Sequence, residues 1–396
     1  MTIAALEGLK RVACETIDSR RDELVELSLR LHRTPELRFE EHAASASLAT
    51  YLRASGFSVE LPAYGLKTAF RASLGSGRPA VAILCEYDAL PGLGHACGHN
   101  VIAAAGAGAA AAVAGVLGQC GGSIVVLGTP GEEGGGGKIF MAREGAFDDL
   151  DAAIMIHPAG QELSTMQSLA VCQLAVEYRG TAAHASAAPF LGVNALDALI
   201  TAYNAIAQLR QHIRPTERIH GIITDGGQAA NIVPEKAAGL FYVRAATESD
   251  LDALRERVMG CFRAGAEATG AEVTVRIPAP QYAELVVNKP LVRQYVDNLA
   301  RLGRVPDTDL DERPPVVGST DMGNVSKMLP AIHPMIAIAP PGTPLHSAEF
   351  AAFAASESGH RGVIDGAKAL AMTAIDVLVD DDLRRRMRES FSESTA

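Results

Sequence analysis

The sequence predicts an α/β protein. Its main domain is a mostly parallel sheet, and a smaller β-α-β-β-α-β domain of ferredoxin-like order is inserted in it. Three observations carry this. Short apolar runs alternate with helical segments over the first 160 or so residues, the pattern of βαβ units. The middle of the chain changes to four strand-like and two helical segments in ferredoxin-like order. Helix, strand and helix then return, as though the first domain resumed. The expected division is 1–167 with 281–396 for the main domain, and 168–280 for the insertion.

The elements follow in order. Residues 18–56 read as two helices: "DELVELSLRLHR" has apolar positions at helical spacing, and "EEHAASASLATYLRASGF" ends near Gly56. "AVAILCEY" is a buried strand and the Ala-rich run after it a helix. "SIVVLGTP" is a strand, "GKIFMAREGAF" a helix and "AAIMIHP" a strand. In the insertion, "LAVCQLAVEYRG", "IHGIITDGG", "EKAAGLFYVRAATE" and "AEVTVRIP" are strands. "VNALDALITAYNAIAQLRQHI" and "DLDALRERVMGCFRAGAEATG" are its helices. Beyond it, "KPLVRQYVDNLARLG" is a helix, "PMIAIAP" a strand that rejoins the first sheet, and "GVIDGAKALAMTAIDVLVD" the closing helix.

Composition bounds the rest. With 396 residues, 48% hydrophobic and 20% charged, the chain has ample material for a core and suits one large domain with an insertion. Trp is absent and aromatics are 5%, so that core is built from Ala, Val, Leu and Ile. A net charge of −11 argues against nucleic acid and against an anionic membrane surface as partners. No signal-type apolar segment is expected at the N-terminus, and six unevenly spaced cysteines do not suggest a disulfide framework; a reducing cytoplasm fits. Val101–Gly118 is uncharged over a membrane-spanning length, but it is mostly Ala and Gly and reads as a buried helix.

The unusual polar residues fall at one kind of place. Cys97 and His99, in "GHACGHN", follow the strand ending near Tyr87. Glu132 and Glu133 follow "SIVVLGTPG", His157 ends "AAIMI", and His346 follows "PMIAIAPPGTPL". Each lies just beyond the carboxyl end of an expected strand, the edge where open α/β sheets bind ligands. Singly, each has a bland reading: a strand-end histidine, a solvated glutamate pair, a small buried cysteine. Together they have the composition of a metal site. Five donors exceed the needs of one tetrahedral ion, which suggests two ions roughly 3.5–4 Å apart. Neighbouring glutamates on an extended loop point in different directions, so one can bind metal while the other holds a water as general base. Residue chemistry alone leaves open which does which. A cysteine nucleophile is the rival, since Cys97 stands at a helix start near His95 and His99. That reading leaves the glutamates and His157 without roles.

These residues resemble the aminoacylase/carboxypeptidase G-type metallopeptidases, and most of all their amidohydrolase subfamily of hippurate, auxin-conjugate and p-aminobenzoyl-glutamate hydrolases and some dipeptidases. The resemblance runs through "LHRTPELRFEEHAAS", "CEYDALPGLGHACGHN", "GTPGEEGGGGKIFM", "IMIHP", "GTAAHASAAPFLGVNALDAL", "ANIVPE", "GSTDMGNVS" and "PLHSAEF". It implies a catalytic domain of zinc-peptidase type and an inserted lid and dimerisation domain. It implies Cys97 as a bridge between two divalent ions, with His99 and His157 on one and Glu133 and His346 on the other. Glu132 would be the general base, and Asp88 would support the site from behind. His184 would hold the oxyanion in the partner subunit's site, and Asn231 and Arg244 would contact substrate; for Arg244 a surface strand arginine is the plain alternative. The wider family has a metal-binding histidine where this chain has Glu86. Zinc is the first expectation for the metal, and manganese, cobalt or nickel also suit the donors. The implied activity is hydrolysis of an amide bond in an N-acyl amino acid or small peptide-like conjugate. The alternative is a dipeptidase, for example on β-alanyl or lysyl/ornithyl dipeptides. A catalytically silent binding relative is the reading from another class. The expected partners are a small-molecule amide and a second copy of the chain, bound through the lid.

Overall fold

The structure, a computed structural model, describes residues 1–307 and 316–395. The chain divides into two compact units, Met1–Gln167 together with Leu285–Ala396, and Ser168–Glu284.

The first unit opens with three helices, α1 (Ile3–Ser19), α2 (Arg21–Arg33) and α3 (His42–Ala54). Helix α1 starts well before the helical region expected from residue 18. Its stripe Leu9, Ala13 and Ile17 is buried at a spacing of four. Lys10 is buried with it, 2.7 Å from Asp376 Oδ1.

Six strands form the central sheet: β1 (Ser58–Glu60), β2 (Phe70–Gly75), β3 (Ala80–Cys85), β4 (Ser123–Gly128), β5 (Ala152–Ile154) and, after β6 (His157–Ala159), β7 (Ala331–Ile332). Their order is β1-β2-β4-β3-β5-β7. The ladders β3/β4, β3/β5 and β5/β7 are parallel, while β1 and β2 add an antiparallel edge. Strands β3, β4 and β5 are buried at every position, which explains their unbroken apolar runs.

Helix α4 (His99–Ala114) is buried from His99 to Val113. Its small residues make that packing feasible. A Cβ at Gly106 would stand 2.7 Å from Cys85 Sγ, and one at Gly108 would stand 2.8 Å from Leu24 Cδ2. The helix is therefore sandwiched between β3 and α2. Among the described residues no helix is long and apolar enough to cross a membrane.

Two strands differ from the sequence reading. "AAIMIHP" divides into β5 and β6. "PMIAIAP" does not rejoin the central sheet; β7 does, and β8 (Met335–Ala337) pairs in parallel with β6 as a separate ladder. The first break falls at residues 155–156, just before the His157-Pro158 step, and the second at the His333-Pro334 step itself. Proline lacks an N–H and restricts the residue before it, which accounts for the interruption at His333-Pro334.

The second unit has strands Ala170–Arg179, Arg218–Asp225, Lys236–Ala245 and Glu272–Arg276, with helices Ala195–Leu209 and Glu248–Thr269 between them. The sheet is antiparallel throughout. It runs Glu272–Arg276, Ala170–Arg179, Lys236–Ala245, Arg218–Asp225, the ferredoxin-like order. Along Lys236–Ala245 burial alternates: Ala237, Phe241, Val243 and Ala245 enter the core, while Leu240, Tyr242 and Arg244 are half-buried.

Candidate metal centre

The turn His95–Gly98 delivers Cys97 and His99 to the start of α4. Gly98 caps that helix with φ 77°, a left-handed conformation that costs glycine nothing. A Cβ there would also stand 2.4 Å from Pro158 Cγ, so the turn closes directly onto the segment carrying His157. The glycine of "GHACGHN" thus lets α4 begin against β6. The Cys97 Sγ lies 3.4 Å from His157 Nε2 as a result.

Two hydrogen bonds orient the imidazoles. His99 Nδ1 is 3.0 Å from Asp88 Oδ1, which leaves Nε2 buried and without a hydrogen-bond partner. His157 Nδ1 donates to the Pro158 carbonyl at 2.8 Å, which turns its Nε2 toward Cys97. Asp88 also accepts the Glu133 backbone N–H through Oδ2, at 2.9 Å. One buried carboxylate therefore holds both α4 and the glutamate loop. Burial alone would raise its pKa, but the adjoining His99 holds it below the ordinary range. His346, at φ 61°, donates its backbone N–H to the Ala96 carbonyl and brings Nε2 to 3.1 Å from Glu133 Oε1.

The glutamate loop is pinned from the N-terminal side. The backbone carbonyl of Glu36 pairs with Ala89, and Arg38 donates to the Glu133 carbonyl at 3.1 Å. Buried Glu41 accepts the Gly131 N–H at 2.8 Å and the Thr68 hydroxyl at 2.7 Å. Glu132 is itself buried. Burial, then the charges of Glu86, Glu133 and Asp321, push its carboxyl well above the ordinary range.

Three sets of donor atoms each lie within 4.8 Å of one another: Cys97, His99 and His157; Cys97, Glu133 and His346; and His99, Glu132 and Glu133. The first two share only Cys97 and together contain all five expected ligands. Two imidazoles beside a thiolate, and a carboxylate with an imidazole beside the same thiolate, suit borderline divalent ions. The unpartnered Nε2 of His99 is what a ligand nitrogen awaiting an ion looks like. The donors fit a dinuclear centre. Burial, then the charge of Glu133, push the Cys97 thiol up, the reverse of what a free cysteine nucleophile needs.

Sequence reasoning missed several residues around the centre. Lys138, fully buried, puts Nζ 2.5 Å from Glu86 Oε1 and 2.7 Å from Asp321 Oδ1. His333, also buried, stacks on His157 with ring centroids 5.3 Å apart.

The other three expected site residues belong to the second unit. His184 is exposed. The Ser186 and Ala187 backbone N–H groups both donate to its Nδ1 at 3.3 Å, so the ring proton sits on Nε2. Ala185 donates to the Asn231 carbonyl at 3.0 Å, which brings the His184 and Asn231 loops together. Arg244 lies on the strand Lys236–Ala245, its Nε 3.4 Å from His220 Nε2 and its guanidinium over the Tyr242 ring.

Comparison with known proteins matches this architecture. The peptidase dimerisation domain of the M20 type matches residues 170–269. The Xaa-Arg dipeptidase of Mus musculus is 40% identical over 407 residues, covering 98% of this chain and 93% of its own. A p-aminobenzoyl-glutamate hydrolase polypeptide of Escherichia coli K12 is 30% identical, covering 98% and 96%. A dinuclear metal-binding peptidase of Bacillus subtilis has the same fold, with TM-score 0.70 at 18% identity over 91% of this chain and 99% of its own. The protein is thus a hydrolase of amide bonds, built on a metallopeptidase fold. The chain belongs to the M20 family of metallopeptidases and amidohydrolases.

Proposed function

We propose that this enzyme cleaves the single amide bond of a small peptide-like substrate, with dipeptides as its main class and N-acyl amino acids as the second. The observation that carries this reading is the pair of donor triads meeting at Cys97 with Glu132 beside them. Similarity to a dipeptidase over nearly the whole chain favours dipeptides over N-acyl amino acids.

Cys97, His99 and His157 would hold one divalent ion, and Cys97, Glu133 and His346 the other; zinc suits the thiolate best, and manganese, cobalt or nickel suit the remaining donors. When bound, the ions supply Lewis acidity at the amide carbonyl and acidify the attacking water. Glu132 takes the proton of that water and returns it to the departing amine nitrogen. Its buried setting favours the proton-carrying form between those two transfers. Asp88 keeps the His99 lone pair and the Glu133 loop in place. His184 of the partner subunit donates from Nε2 to the carbonyl oxygen as it becomes anionic. Asn231 and Arg244 contact the substrate, Arg244 through a carboxylate.

The assembly in this reading is a homodimer formed through the second unit. Among the described residues its edge strand Arg218–Asp225 is paired on one side only, and it exposes Ile222 (62%) and Ile223 (42%), an arrangement that invites pairing with another copy. A cytoplasmic setting is supported by the absence of disulfides among its six cysteines.

The test is amine release from a panel of dipeptides and N-acyl amino acids, before and after chelation, for the wild type and Glu132→Gln. Chelation should abolish activity and added zinc or manganese restore it. Glu132→Gln should keep its metal and lose about 10²–10⁴-fold in kcat. Activity that survives complete metal removal overturns the proposal.

A further inference from the structure

Among the described residues, the buried polar atoms that lack hydrogen-bond partners include Glu86 Oε2 and both ring nitrogens of His333. A buried polar atom without a partner is costly, so three together mark the place of a group that the chain does not supply. They are neighbours through a continuous stack. Glu86 Oε2 lies 3.6 Å from His99 Nε2. The His99 and His157 rings meet edge-on at 5.8 Å, and His333 stacks on His157 at 5.3 Å. Among charged groups, Glu86 acts most strongly on His333. Neither residue belongs to any of the three donor triads.

The chemistry of that group follows from the atoms. An ionised carboxylate only accepts hydrogen bonds, and a neutral imidazole offers one acceptor nitrogen beside one N–H, which would turn to an oxygen of the same substrate. Lys138 is one cation shared by the two carboxylates of Glu86 and Asp321, and it leaves Glu86 Oε2 unpaired. A donor-rich cation is what this set accepts. The amino nitrogen of an α-dipeptide lies two bonds from the scissile carbonyl carbon. A subsite for it must therefore adjoin the metal ligands, as Glu86 and His333 do.

We propose that Glu86 and His333 form the subsite that receives the free amino group of a dipeptide, and so select unblocked dipeptides over N-acylated ones. This rests on the amide-hydrolase reading above and names its substrate class. The test is steady-state kinetics on alanyl-arginine and N-acetyl-alanyl-arginine, with metal content per chain measured by elemental analysis, for the wild type, Glu86→Gln and His333→Phe. The wild type should favour the free dipeptide in kcat/KM. Each variant should reduce that preference at least tenfold, mainly through KM, with unchanged metal content. A preference unaltered in both variants overturns the subsite and leaves these atoms to water. Loss of a metal equivalent in Glu86→Gln also overturns it, by making Glu86 a ligand. A wild type that cleaves only the acetylated peptide overturns the subsite alone, and one that cleaves neither fails the parent reading and the subsite with it. Should Glu86→Gln not fold, His333→Phe decides the matter by itself.

Discussion

Replacing Asp88 by Asn tests whether one carboxylate organises both halves of the centre. Asp88 accepts from His99 Nδ1 at 3.0 Å through one oxygen and from the Glu133 N–H at 2.9 Å through the other. Asparagine has the same shape but only one acceptor oxygen. Whichever way its amide turns, an NH₂ faces one of the two donors. The loss is a charge-assisted hydrogen bond, about 1.5–3 kcal/mol, plus a buried donor left unpaired, about 1–3 kcal/mol. Removing a partner that orients a metal ligand typically lowers affinity about 10–100-fold. At about 1.4 kcal/mol per tenfold, the upper figure is about 2.8 kcal/mol, near the lower end of the loss just given. The upper end is expected because, of the two triads that meet at Cys97, one contains His99 and the other Glu133, so whichever donor loses its acceptor, one ion loses a well-held ligand. Competition with a chromogenic zinc chelator measures each affinity, and urea unfolding of the metal-free proteins separates binding from fold stability. Affinities within threefold of wild type for both ions would refute the argument.

Two further substitutions probe how the fold delivers the site. Gly98→Ala forces a side chain into φ 77°, about 1–2 kcal/mol, and sets a Cβ 2.4 Å from Pro158 Cγ, for about 1–3 kcal/mol more. Urea unfolding should show a loss of about 2–5 kcal/mol; wild-type stability would mean that the α4 turn and the His157 segment are not in close contact. Glu41→Gln probes pH dependence. Burial pushes Glu41 from 4.5 up to about 7, against the pull of its Thr68 hydrogen bond. A carboxyl with a raised folded pKa contributes stability that is full below about 4.5 and lost as pH rises through about 7. The stability difference between metal-free wild type and Glu41→Gln should therefore shift by about 3 kcal/mol across that window, in favour of the wild type at the acid end. Parallel stability curves for the two proteins would show that Glu41 does not titrate there.

The ligand set was legible because each donor sits where the physics of a parallel sheet exposes polar atoms, just past a strand's carboxyl end. What escaped were the groups whose meaning lies in long-range pairing. Lys138 follows a glycine-rich run at the start of the helix Gly137–Arg143 and looks like surface charge, yet its Nζ is fully buried between Glu86 and Asp321, residues 52 and 183 positions away. Glu41 reads as one of two helix-start glutamates, but its carboxylate holds Gly131, 90 residues on. His333 had a local signal. The His-Pro step of "IMIHP" recurs in "AIHPM", and each follows a strand of one parallel pair, β5 and β7. The register sets Met335 opposite His157, so His333 stands two residues before that partner position, and its ring stacks on His157 at 5.3 Å. A repeated dipeptide after two strands is therefore evidence of proximity in the sequence itself. The acidic interior around it follows the same logic. A carboxylate at position 86, a lysine at 138 and an aspartate at 321 are each improbable in a dry core, and only their mutual compensation makes them tolerable there. The one oxygen left uncompensated, Glu86 Oε2, is the point at which a substrate amine would complete the balance.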